Sequence, residues 1–116
     1  MDLLDKQMQF TRAWTTAFEE VDLIIAPVFG TPAFRLMDEP DWRKRELIID
    51  GTPTDFGAQL AFPGLATFPG LPATAVPVAR DDHGLPIGVQ IIGPPYGDRR
   101  TIGFADKLQS AGLAMN

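Results

Sequence analysis

The sequence predicts an α/β fold in which a small mixed sheet, containing an antiparallel hairpin, is flanked by helices. Three observations carry this. Leu4, Met8, Thr11, Trp14, Phe18 and Val21 recur at spacings of three and four, which stacks them on one helical face. Leu23-Ile24-Ile25-Ala26 and Ile87 to Ile92 are short apolar runs bounded by turn residues, the length and setting of strands. A third run, from Asp98 to Ala111, suits a closing helix.

The elements follow in order. The first helix spans about Leu3 to Glu20, with Asp2 as its N-cap and Asp5 complementing the positive helix end; its apolar stripe is expected to face the core. Leu23 to Ala26 lacks alternation, so the expected strand is covered on both faces, and Pro27 ends it by removing a ladder donor. Pro32 and Pro40 make Val28 to Asp41 a loop. The mixed charges from Asp41 to Glu46 around Trp42 read as a solvated helical turn. Leu47-Ile48-Ile49 is a short strand running into Asp50-Gly51, a pair suited to a turn in which both central residues have positive φ. Pro53 prevents a long return strand. Thr54 or Asp55 then caps a helix toward Phe62, which Pro63 and Gly64 break or kink. Ala73 to Ala79 is a strand whose Pro77 requires an edge position or a bulge. The polar turn Arg80 to Gly84 returns the chain into Ile87 to Ile92, antiparallel because the connection is so short. Ile87, Val89 and Ile91 fall on one face of that strand and Gly88, Gln90 and Ile92 on the other. Asp98 is the expected N-cap of the last helix and Gly112 its stop.

Composition limits the function classes. A chain of 116 residues is one domain, residues 1–116, or a piece of a larger one. With 45% apolar and 22% charged residues it is an ordinary globular chain, which sets aside disorder and coiled coil. Eleven Gly and eleven Pro spread along it imply many turns. There is no Cys, hence no disulfide framework and no thiolate zinc site. The formal net charge of -5 repels a phosphate backbone, so nucleic acid is not an expected partner. The start carries no secretory signal pattern, and no apolar stretch approaches the roughly 20 residues of a membrane span. The expectation is a cytoplasmic chain without membrane contact. No internal repeat is present.

A search for chemistry finds little. Ser110 is the only Ser, His83 the only His, and the three Lys are Lys6, Lys44 and Lys107. A Ser–His–Asp arrangement or paired serines therefore have almost nothing to draw on. His83 has no second His or Cys to complete a transition-metal site and reads as a solvated turn residue. Asp81 and Asp82 lack the spaced oxygen ligands of a calcium loop. Arg99 and Arg100 lie where free helix amides can hold an anion, but adjacent arginines point in different directions and read as a solvated pair. The glycines between Gly84 and Gly103 form no dinucleotide or phosphate loop. No catalytic residue, metal or cofactor is assigned.

Four stretches, in matching order and spacing, resemble the C-terminal part of the amidase signature family: Val21-Asp22-Leu23-Ile24-Ile25-Ala26-Pro27, Gly70-Leu71-Pro72-Ala73-Thr74-Ala75-Val76-Pro77-Val78, Gly84-Leu85-Pro86-Ile87-Gly88-Val89-Gln90-Ile91-Ile92-Gly93 and the helix from Asp98. The third is the most specific, and the resemblance covers nearly the whole chain. It implies the C-terminal part of the amidase signature fold. Enzymes of that family are several hundred residues long and hydrolyse carboxylic amides with a Ser–Ser–Lys triad, one Ser forming an acyl-enzyme while backbone amides hold the oxyanion. The triad belongs to regions this chain lacks; Ser110 and the three Lys do not carry its motifs. Many relatives have an Asn three residues before the Gly of Gly-Leu-Pro, helping to line the substrate pocket. Here that position is Thr67, a departure from the family pattern. The resemblance leaves Gln59, Phe62 and Thr67 as pocket-wall candidates, with core packing the competing role for Phe62.

The resulting expectation is a C-terminal structural segment that completes the sheet and pocket wall of an amidase and is inactive alone. The alternative is a self-standing assembly or binding module built from such a segment. An independent enzyme using carboxylates is set aside. The expected partners are a second copy or the missing amidase N-terminal region, with a small-molecule amide bound only in the full enzyme.

Overall fold

A computed structural model describes residues 2–115, in the order α1 (Leu3–Ala17), β1 (Ile24–Pro27), a 3-10 turn (Trp42–Lys44), β2 (Glu46–Ile49), β3 (Thr52–Asp55), α2 (Phe56–Gln59), α3 (Ala61–Thr67), β4 (Ala73–Arg80), β5 (Pro86–Ile92) and α4 (Asp98–Ser110). The α/β class, the small sheets and the flanking helices are as expected. The strands divide between a three-stranded sheet, β1-β5-β4, and the separate β2-β3 hairpin, with every described pairing antiparallel.

Local turn chemistry acts as the sequence predicts. Asp50 and Gly51 have φ of 50° and 76°, so both central residues of the β2–β3 turn are left-handed. Gly84, at φ 81°, turns the chain between β4 and β5, whose register sets Val76 opposite Val89. Pro77 has both features required of it: β4 is a sheet edge, and the register shifts between Pro77 and Ala79. Asp2 and Asp5 form a reciprocal cap on α1. Asp55, rather than Thr54, caps α2 by accepting from the Gly57 and Ala58 amides. At the end of α4, Gly112 is left-handed and the Leu113 and Gly112 amides donate to the Leu108 and Gln109 carbonyls, which satisfies two of the open helix carbonyls.

The β4–β5 pair of the three-stranded sheet is covered on both faces. Ile91 points to the α4 face, where it packs with Val76, Ala105 and Ala114. Ile92 points the other way, into Ala66 of α3 and Leu71, with Trp14 and Phe18 of α1 against them. Both isoleucines are 0% exposed. Thr74 of β4 and Thr101 of α4 share a 2.9 Å hydrogen bond across the first face. On the second, Gln7 and Thr11 donate to the Phe68 and Pro69 carbonyls, docking α1 on the turn after α3. The β2–β3 hairpin is tied to the long loop by the rings of Phe29, Phe34 and Phe56, whose centroids lie 5.6 to 5.9 Å apart.

Four expectations are corrected. The Leu23–Ala26 strand is not covered on both faces: β1 has one neighbour, and Ile25 is 53% exposed. The expected stripe packs through Thr11, Trp14 and Phe18, while Leu4 and Met8 stay exposed because no described layer lies beneath them, and Val21 lies beyond α1, which ends at Ala17 rather than near Glu20. The helix after Asp55 breaks at Leu60, not at Pro63. Pro63 is the third residue of α3, where its missing N–H would have had no helical partner, so the helix continues to Thr67. Gly97, not Asp98, occupies the cap of α4, since the Thr101 amide donates to the Gly97 carbonyl; Asp98 is the first helical residue.

Candidate functional site

The face of the sheet that carries α3 holds two small clefts. Gln90 in the middle strand lines one of them. Alternation along β5 sends its side chain to this face, where it is 5% exposed, and its amide nitrogen donates to the Pro27 carbonyl at 2.8 Å and the Phe62 carbonyl at 2.7 Å. One buried amide thus joins the end of β1, the middle of β5 and the start of α3. An amide nitrogen has two hydrogens, and both have an acceptor here.

The first cleft, about 250 Å³, lies between α3 and the β4–β5 pair, with Thr67 and Ala66 on the helix side and Ala73, Ala75 and Gln90 on the sheet side. Alanines at the facing positions leave the space unfilled. The second, about 270 Å³, is formed by the Val28–Ala33 loop against Pro86, Ile87 and Gly88. Val28 lines both.

Of the three sequence-predicted wall residues, one lines a cleft and two line neither. Thr67 borders the first cleft and is exposed. Gln59 and Phe62 meet at Gly30, in the loop of the second: a Cβ there would overlap Gln59 Oε1 and come within 3.5 Å of the Phe62 ring. Phe62 is half-buried and its carbonyl accepts from Gln90, which gives it a packing role. Gln90 is the residue that the sequence reading missed. The signal for it was present, since a glutamine inside Ile87–Ile92 must find partners when its neighbours are buried.

No titratable side chain lines either cleft. Ser110 is the exposed last residue of α4, and Lys6, Lys44 and Lys107 are exposed on three different elements. Without a base beside it, a serine hydroxyl is a weak nucleophile. His83 is exposed in the β4–β5 turn, its backbone N–H donating to Asp81 at 2.9 Å. Among the described residues no three His, Cys, Asp or Glu side chains gather as a metal site. No described helix is long and apolar enough to cross a membrane.

Residues 3–102 match the family model described as Amidase. The chain belongs to the amidase family. Its similarity to one subunit of glutamyl-tRNA(Gln) amidotransferase is 32% identity over 102 residues in Novosphingobium aromaticivorans, covering 88% of this chain and 17% of the relative. For the same protein of Prosthecochloris aestuarii the figures are 31% over 103 residues, 89% and 20%; for that of Wolbachia pipientis they are 33% over 101 residues, 86% and 18%. The chain therefore spans about a fifth of the length of these amidase relatives, and the amidase match ends at Ile102, inside α4.

Proposed function

We propose that this chain is the C-terminal structural segment of a cytoplasmic amidase, completing the sheet and the substrate-pocket wall without hydrolysing amides by itself. The observation that carries the reading is its surface. The molecule exposes 8238 Å², whereas a compact monomer of its 12.7 kDa mass exposes about 6200 Å². The excess on this one chain, about 2000 Å², is more than twice the roughly 800 Å² that each partner of a standard interface buries, and reaches the scale of obligate interfaces. Its shape agrees: a slab of 45 × 40 × 21 Å with a radius of gyration of 16.2 Å, against about 13 Å for a compact domain of this length. In this reading Gln59, Phe62 and Thr67 belong to the wall, and an amide reaches them only when the catalytic Ser–Ser–Lys region is present.

The test is turnover. Purified chain is expected to release no ammonia from aromatic, aliphatic or glutamine-like amides. Hydrolysis that persists in Ser110→Ala and in the presence of chelator would overturn the reading.

A second reading, a self-standing assembly module, is favoured by α1. Leu4 and Met8, one turn apart on that helix, are both more than half exposed, an apolar pair that a second copy would cover. Light scattering separates the two readings in the lone chain. Concentration-dependent growth beyond 12.7 kDa that Leu4→Glu and Met8→Glu abolish supports the module; a monomer throughout the micromolar range removes it.

A further inference from the structure

On the α4 face, opposite the two clefts, a larger groove of about 750 Å³ runs between α4 and the outer edge of β1. Its floor is apolar: Leu23 just before β1 and Ile25 within it contribute from one side and Phe104 from the helix. The two edges of the sheet differ. At β4, Pro77 has no N–H to offer, the strand bulges beside it, and the Pro77 carbonyl already accepts from the Met115 amide at 2.9 Å. The edge of β1 has none of these protections over Ile24–Ala26, and no described segment pairs with its outer side. An unprotected edge strand with an exposed isoleucine is a template for another strand.

The walls specify its charge. Arg99, Arg100 and Lys107 all border the groove, and none has a carboxylate within ion-pair distance among the described residues, where the one ion pair joins Arg43 and Asp41. Asp22 lies at the same groove without pairing with them. In a chain of net charge -5 this is a local reversal of sign, which selects an acidic partner. Arg99 and Lys107 are eight residues apart, about 12 Å along a helix, a distance that an extended strand covers in about four residues. A second copy fits poorly, because two-fold pairing of β1 with itself turns two sets of the same cations toward one shared space.

We propose that the β1 edge and the α4 groove form a docking site for an extended acidic strand of a different polypeptide. The strand adds to the sheet beside β1 and sets carboxylates against Arg99, Arg100 and Lys107. This site is independent of catalysis. Amide turnover by the lone chain would end the structural-segment reading and leave the groove untouched.

A labelled nine-residue peptide tests it, with glutamate at the third and seventh positions of an alternating threonine–valine sequence, beside the same peptide carrying lysine. The glutamate peptide is expected to bind about tenfold more tightly, the worth of two or three exposed ion pairs, with amide shifts centred on Leu23–Ala26 and weakening as salt rises. Combined Arg99→Glu and Lys107→Glu should erase the preference. Gly103→Glu should do the same from a helix position with open space around it, by placing a carboxylate among the cations. Equal affinity for the two peptides, or shifts centred on β4, overturns the proposal. Displacement by millimolar inorganic phosphate with shifts confined to Arg99 and Arg100 makes it a small-anion site instead. Dimers dissolved by Ile25→Lys would give the edge to a second copy and also overturn it.

Discussion

Ile91→Ala and Ile92→Ala are each expected to lower stability by about 2–5 kcal/mol, the cost of removing a large aliphatic side chain from a packed site. They are adjacent in β5 and both are 0% exposed, yet they serve opposite faces. Ile91 holds α4 to the sheet with Val76 and Ala105; Ile92 holds α3 and α1 through Ala66, Trp14 and Phe18. A single-domain chain has only about 5–15 kcal/mol in all, so either change consumes much of it. The two should be distinguishable as well as large. Ile92→Ala opens the cluster containing Trp14 and should shift its emission in the folded baseline, whereas Ile91→Ala should leave that baseline in place. Urea unfolding followed by circular dichroism and tryptophan fluorescence reads both effects. Midpoints unchanged from the parent chain would show that this sheet is not the stabilising centre. Because the residues are neighbours, the double variant is not expected to show the sum of the single losses.

The parts of this molecule legible in the sequence are those decided within a few residues. Asp50-Gly51, Gly84 and Gly112 specify left-handed backbone, and the chain turns or stops at each. Pro77 excludes an ordinary place in a sheet, and the bulged edge is the remaining solution. Burial was less legible because it depends on what arrives from elsewhere. Leu23-Ile24-Ile25 has the composition of a strand with two covered faces, but within this chain it is an edge, and Ile25 remains half in solvent. Leu4 and Met8 continue a correctly read helical stripe past the end of the surface that α1 covers. The candidate wall was legible only in part for a similar reason. Gln59, Phe62 and Thr67 come from one stretch of sequence, whereas the clefts draw on the Val28 loop, α3, β4 and β5 together. No spacing within a single segment reports that assembly.

Gln90→Leu is the change expected to damage both the fold and the wall. Leucine matches glutamine in bulk, so the substitution removes hydrogen bonds while leaving little cavity. It removes the donor to the Pro27 and Phe62 carbonyls, which accept from the Gln90 amide at 2.8 and 2.7 Å. Pro27 is exposed and Phe62 half-buried, so the loss is that of two hydrogen bonds at about 0.5–1.5 kcal/mol each, about 1–3 kcal/mol together. The effect should also be directional. With the amide gone, nothing equivalent joins the end of β1 to the start of α3, and the cleft beside α3 should widen where Thr67 borders it. Hydrogen exchange should then quicken at Gly64 and Phe68 within and after α3 more than at Ala105 in α4, which lies across the sheet. Gln90→Glu supplies a control of similar shape: it also lacks the amide donors and adds a charge with no cation at either cleft, so it should be at least as destabilising. If Gln90→Leu unfolds at the parent urea concentration and α3 exchanges at its usual rate, the amide bridge does not organise the wall, and the role assigned to Gln90 falls.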